Sequence, residues 1–130
     1  MTFLWRAAGS PEPKSTTNPF TDVSESAYYY KAVLWAAENN ITGGNTPTTF
    51  NPNGVCTRAQ VVTFLHRAAG LPKAEKAAAF TDLTAGTYYV DAVAWAVEKG
   101  VTGGNTPTTF NPNGGCTRGN IVTFLYRYYK

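Results

Sequence analysis

Two arginines stand where this chain could do chemistry. They lie in Thr57-Arg58-Ala59-Gln60 and Thr117-Arg118-Gly119-Asn120, sixty positions apart. Each follows a threonine suited to cap a helix, so each opens the first turn. A first turn presents unpaired N–H groups and the positive end of the helix dipole, which favour an anion. Arginine adds a planar donor fork matched to a carboxylate. The chemistry on offer is grip on a negative group rather than bond making. One charge-assisted hydrogen bond nets about 1.5–3 kcal/mol, whereas millimolar affinity needs about 4 kcal/mol. A single arginine falls short, so stacking on Trp35 or Tyr28 and use of two sites at once are required. Gly43 and Gly44 would let a flat ligand approach the backbone. The candidate ligand-binding residues are Arg58, Arg118, Thr57, Thr117, Gln60, Gly43, Gly44, Trp35 and Trp95. The plain alternative makes both arginines solvated first-turn residues or partners of Glu38 and Glu98. In that alternative both tryptophans are core or inter-repeat packing.

Nothing points to catalysis. No nucleophile–base pair, metal cluster or acidic pair recurs, so no catalytic residue, metal or cofactor is expected. The one histidine, His66, shares its repeat position with Trp5 and Tyr126 and reads as a solvent-facing residue. Asp22 and Asp82 read as turn or cap residues. Asn51 and Asn53 lack the carboxylates a calcium loop needs.

The elements that must position these residues come from a duplication. Residues 41–65 and 101–125 are identical at twenty of 25 positions. Self-similarity of this kind marks a repeat architecture. Within 20–40, Tyr29, Ala32, Val33 and Ala36 fall on one helical face, matched by Tyr89, Ala92, Val93 and Ala96. Asn40 and Gly100 end those helices with residues that tolerate a left-handed position. A Gly/Pro/Asn loop follows, in which Phe50 and Phe110 are lone apolar anchors. Asn51-Pro52-Asn53-Gly54 has the composition of a type I turn. The second helix starts at Thr57, where Thr57 and Gln60 form a capping box and Cys56 and Val61 a hydrophobic staple. Val61, Phe64, Leu65 and Ala68 are its expected buried face. Residues 2–9 match 63–70, so the chain opens on the last helix of a preceding copy. The expected organisation is that helix over 1–9, a Pro-rich linker over 10–19, a repeat over 20–70, a linker over 71–79 and a second repeat over 80–130. One unit cannot enclose its own aromatic face, so units must pack together.

Bulk properties bound the partners. A chain of 130 residues with 43% hydrophobic content can hold a core without staples. A net charge of +3 with no Lys/Arg run falls short of a nucleic-acid footprint, and no apolar run could span a membrane. Cys56 and Cys116 occupy equivalent repeat positions and read as small buried hydrophobes. The alternative is a bond between them or across a dimer.

FTDVSESAYYYKAVLWAAENNITGG, followed by TFNPNGVCTRAQVVTFLHRAAG, resembles the S-layer homology module of bacterial cell-surface proteins. The second copy matches equally well. The resemblance implies a mostly all-α fold of helix-loop-helix repeats packed as a pseudo-threefold spindle. It implies a non-catalytic, extracellular anchor to anionic, pyruvylated cell-wall polysaccharide, bound in inter-repeat grooves. The family's T-R-A-E arginine maps to Arg58 and Arg118, with its acidic residue replaced by Gln60 and Asn120. The alternative is a structural or protein-binding module that keeps the fold without the glycan. A compact monomer is favoured, with a swapped or face-to-face dimer as the other arrangement.

Overall fold

The structure, a computed structural model, describes residues 1–14, 17–44, 46–51, 54, 56–76, 80–83, 88–104, 106 and 108–129, with Arg118 described by its backbone alone. Among these, five helices follow in order: α1 (Thr2–Ala7), α2 (Tyr30–Glu38), α3 (Arg58–Ala68), α4 (Val90–Glu98) and α5 (Arg118–Tyr129). The only pairings of extended backbone among the described residues are isolated bridges, Thr46 with Thr49 and Thr57 with Gly115. The fold is mostly α, as expected.

The helix ends follow from local sequence. Asn40 (φ 59°) and Gly100 (φ 74°) both adopt the left-handed conformation. The next N–H in each copy, Ile41 or Val101, then reaches back to Ala36 or Ala96 at 2.8 Å. Two sequences thus solve one backbone problem. Gly70 closes α3 in the same way, with Leu71 N–H on the His66 carbonyl at 3.0 Å.

Contacts divide the chain into two compact units, Met1–Gly54 and Val55–Lys130. This division cuts through the first sequence repeat. In each unit the helix that ends one copy packs on the helix that opens the next: α1 on α2, and α3 on α4. In the second unit α5 also packs on α3.

The core of the first unit is Leu4, Val33, Ala36 and Ile41, with Phe20 and Val23 at its loop end. In the second unit it is Val62, Leu65, Val93, Trp95, Val101 and Phe110. The buried arc of α3 is wider than its periodicity predicts. Of the expected face Val61 and Leu65 are buried while Phe64 and Ala68 are half-buried; Val62, Thr63 and His66 are buried besides, because α3 carries α4 and α5 together. His66 corrects the reading of a solvent-facing residue. It is 7% exposed, bonds the Pro72 carbonyl at 2.8 Å and lies 5.2 Å from the Trp95 ring. A carbonyl only accepts, so Nε2 carries the proton. The equivalent positions on α5 are open instead, with Val122 at 52% and Tyr126 at 66% exposed.

Candidate functional site

The arginine-bearing turn is built by the loop that faces it. Thr57 and Gln60 form the expected reciprocal box: Gln60 N–H on Thr57 Oγ1 at 3.1 Å, and Thr57 N–H on Gln60 Oε1 at 2.8 Å. Thr117 and Asn120 repeat it, at 3.1 and 3.3 Å. The remaining first-turn donors of α3 are also taken. Arg58 N–H meets the Gly114 carbonyl at 2.9 Å, and Ala59 N–H meets that of Pro112 at 3.0 Å. The positive end of α3 is therefore satisfied by the 112–114 turn, not held open for an outside anion.

The Arg58 side chain is drawn inward with it. It is 8% exposed, and its Nε donates to the Phe110 carbonyl at 2.8 Å. Its guanidinium lies 4.8 Å from the Phe110 ring centre and 5.4 Å from that of Phe124, a pair of cation–π contacts. Burial lowers its proton affinity, opposed by Cys116 and Asp82. Arginine still stays charged, since a guanidinium is not deprotonated in proteins. This corrects the expectation of an accessible grip. Arg58 bolts the second loop to the start of α3. The Arg118 side chain lies outside the described residues.

The loops are held by Asp22 and Asp82. Asp22 accepts from Phe50 and Asn51 N–H at 2.8 and 2.7 Å, and Asp82 from Phe110 and Asn111 N–H at 2.9 and 2.7 Å. The Phe50 donor bond, despite some desolvation, holds Asp22 below the usual carboxylate range. At Asp82 desolvation pushes up, but the two backbone donors and Arg58 outweigh it, and the net shift is also downward. Phe50 and Phe110 are the expected anchors, each against its repeat's leading phenylalanine at 5.5 and 5.8 Å. Pro52 and Asn53 lie outside the described residues.

Gly43 and Gly44 have different jobs. A side-chain carbon on Gly43 would meet nothing within 4 Å, so that backbone is approachable. Gly44, at φ 87°, is already covered: a methyl there would strike the Phe20 ring and the Thr46 and Thr49 carbonyls. It is a packing glycine and not a ligand-facing one.

Trp35 and Trp95 also part company. Trp95 is 1% exposed, which corrects its reading as an accessible platform. His66 covers one side, and Tyr128 lies 5.5 Å from the ring. Trp35 is half-buried and lines an open groove of about 540 Å³ with Pro11, Glu12, Lys14, Glu38 and Asn39. The linker forms one wall because the Trp5 indole N–H holds the Pro11 carbonyl at 2.8 Å. Both oxygens of Glu38 accept the Lys14 backbone N–H at 2.9 Å. Lys31 and Glu12 pair across the rim at 2.8 Å. Sequence reasoning missed Glu12, Lys14 and Asn39. The available signal was the Pro-rich linker, whose prolines limit its conformations, running past an aromatic helix.

No group of three or more His, Cys, Asp or Glu that could hold a metal occurs among the described residues. Nor is any described helix long and apolar enough to cross a membrane.

The S-layer homology domain family matches residues 19–62 and 79–119. An endoglucanase of Bacillus sp. (strain KSM-635) is 31% identical over 124 residues, which is 95% of this chain and 13% of that protein. A cell surface protein of Thermoanaerobacter kivui is 32% identical over 119 residues, 87% of this chain and 16% of its own length. The surface-layer 125 kDa protein of Lysinibacillus sphaericus is 32% identical over 108 residues, 83% of this chain and 9% of its own. The chain thus spans less than a fifth of each of these relatives.

Proposed function

The chain belongs to the S-layer homology family, and on that premise we propose that it is a non-catalytic module anchoring a protein to the bacterial cell surface. Its ligand is a wall polysaccharide, of the anionic, pyruvylated class that the family resemblance implies. The observation that carries this reading is the Trp35 groove. Its volume of about 540 Å³ falls within the roughly 300–1,000 Å³ of small-ligand sites. It joins an aromatic face to carboxylate, ammonium and amide groups, which suit a ring that is apolar on its face and hydroxylated at its edge. Lys14 supplies a positive charge for an acidic substituent. Gly43 leaves backbone approachable on the adjoining loop. Arg58 serves this reading as a positioning residue, because its Nε–H is held by the Phe110 carbonyl and its guanidinium lies against two rings. Arg118 keeps the anion-gripping role, and two weak contacts engaged together supply avidity.

The relatives include an endoglucanase and an amylopullulanase. They are matched over 13% and 5% of their lengths, so the chemistry in those names belongs to those proteins.

A second reading, a scaffold or protein-binding module without glycan, draws on the burial of Arg58 and on the amides Gln60 and Asn120. Co-sedimentation with purified wall sacculi, with and without their secondary polymer, separates the two readings. The anchoring reading expects retention that depends on the polymer and falls roughly tenfold in Trp35→Ala. Retention that survives polymer stripping, or is untouched in Trp35→Ala, would overturn it in favour of the scaffold.

A further inference from the structure

The structure brings together two cysteines that repeat logic keeps apart. Thr57 and Gly115 form an antiparallel bridge. Its flanking bonds are Arg58 N–H to Gly114 O at 2.9 Å and Cys116 N–H to Cys56 O at 2.8 Å. In an antiparallel pair the residues beside a bridge are opposed, so Cys56 stands opposite Cys116 beside this isolated bridge. Opposed residues at such a hydrogen-bonded position have Cα atoms roughly 5.5 Å apart with side chains on one face. A disulfide spans roughly 4.4–6.8 Å between Cα atoms. Equivalent positions of two copies can meet when the copies pack about a shared axis, which linear repeat arithmetic does not show.

We propose that Cys56 and Cys116 are an intrachain disulfide site that closes after export, tying the start of α3 to the start of α5. Both thiols are free in this structure, with Cys56 half-buried and Cys116 buried. That asymmetry sets the order of events. The Cys56 thiolate attacks an external small-molecule disulfide, forms a mixed disulfide and expels one thiolate. Cys116 then loses its proton, attacks the Cys56 sulfur and expels the second. The two protein thiols lose two electrons, the external disulfide becomes two thiols, and the two protons end on those thiols. Burial pushes the Cys116 thiol up, against the neighbouring Arg58 charge, so less of it is thiolate at a given pH. A metal does not explain the pair, since among the described residues no third ligand of the usual kind joins them. Once formed, the bond would close a loop of about 60 residues and remove entropy from the unfolded chain. The inference rests on backbone geometry and does not depend on what the Trp35 groove binds.

The test uses the whole chain, purified reduced and then equilibrated with oxidised glutathione while folded. Alkylation, intact mass and non-reducing peptide mapping follow. The expected product is a monomer lighter by two hydrogens, with the Cys56 and Cys116 peptides joined and the thermal midpoint raised by about 5 °C or more over the reduced form. Folded Cys116→Ser is expected to stop at glutathionylated Cys56, while Cys56→Ser leaves Cys116 unreacted. Should a variant fail to fold, the wild-type oxidised and reduced forms decide alone. Two alkylatable thiols after equilibration, a product linked between chains, or a lowered midpoint each overturn the proposal.

Discussion

The two tryptophans at one repeat position, Trp35 and Trp95, have opposite fates. Both sit on the helix that opens a copy, and both lie beside a linker clasped in the same way. Trp5 holds the Pro11 carbonyl in the first unit, and His66 holds that of Pro72 in the second. A glutamate receives a linker N–H in each, Lys14 on Glu38 and Glu75 on Glu98. Yet Trp35 lines an open groove, while Trp95 is sealed under His66 and Tyr128. Tyr128 stands where the earlier copies have Ala7 and Ala68. The sealing even leaves the Trp95 indole N–H buried without a partner. The lesson is that duplication preserved the backbone clasp, while the cover over the tryptophan differs between the copies.

Substituting the tryptophans tests that contrast with the largest expected effect. Trp95→Ala should cost about 3–5 kcal/mol of stability through the cavity it leaves. Trp35→Ala should cost less than half of that and weaken wall retention instead. Chemical denaturation of the two variants checks the pair, and equal losses would erase the distinction between core and groove. Next comes Arg58→Ala, expected to cost about 3 kcal/mol by leaving the Phe110 carbonyl and the two rings without their partner. If that variant kept full stability yet lost wall binding, Arg58 would be a ligand contact after all.

Tyr128→Ala attacks the seal itself. A loss of about 1–3 kcal/mol is expected, together with red-shifted tryptophan emission and stronger quenching by acrylamide as Trp95 meets water. Emission unchanged from the parent would show that Tyr128 is not the cover. A gentler probe compares the adjacent glycines. Gly44→Ala should destabilise by about 1–2 kcal/mol, since it strains a positive φ and meets Phe20. Gly43→Ala should stay within about 0.5 kcal/mol in thermal melts.

The smallest effect is in the acid limb. Asp22 and Asp82 have folded pKa values below the ordinary one, so the stability they add is present above the unfolded value near about pH 4. It is lost as pH falls through the lower folded value. Asp22→Asn with Asp82→Asn should flatten the decline in stability below about pH 4, read by thermal melts from neutral to acid pH. An unaltered slope would mean that the two clasps carry no linkage.

Much of this architecture was legible beforehand. The left-handed stops at Asn40 and Gly100 and the Thr57–Gln60 box are local, depending on neighbours within a few residues, while the 25-residue duplication and the two phenylalanine anchors were legible from composition and self-similarity. The candidate site was only partly legible. Arg58 looked like an open helix start because nothing nearby in sequence announces that the 112–114 turn will cap it. His66 looked exposed because its cover comes from a linker and from α4.

By itself, then, the sequence determined the repeat, its helices and their caps, since hydrophobic period and capping act over one or two turns. Tertiary structure decided burial: which tryptophan stays open, where the Arg58 charge goes, and that Cys56 meets Cys116. Those outcomes turn on which distant surfaces exclude water from each other, and a linear repeat assigns the same value to both copies.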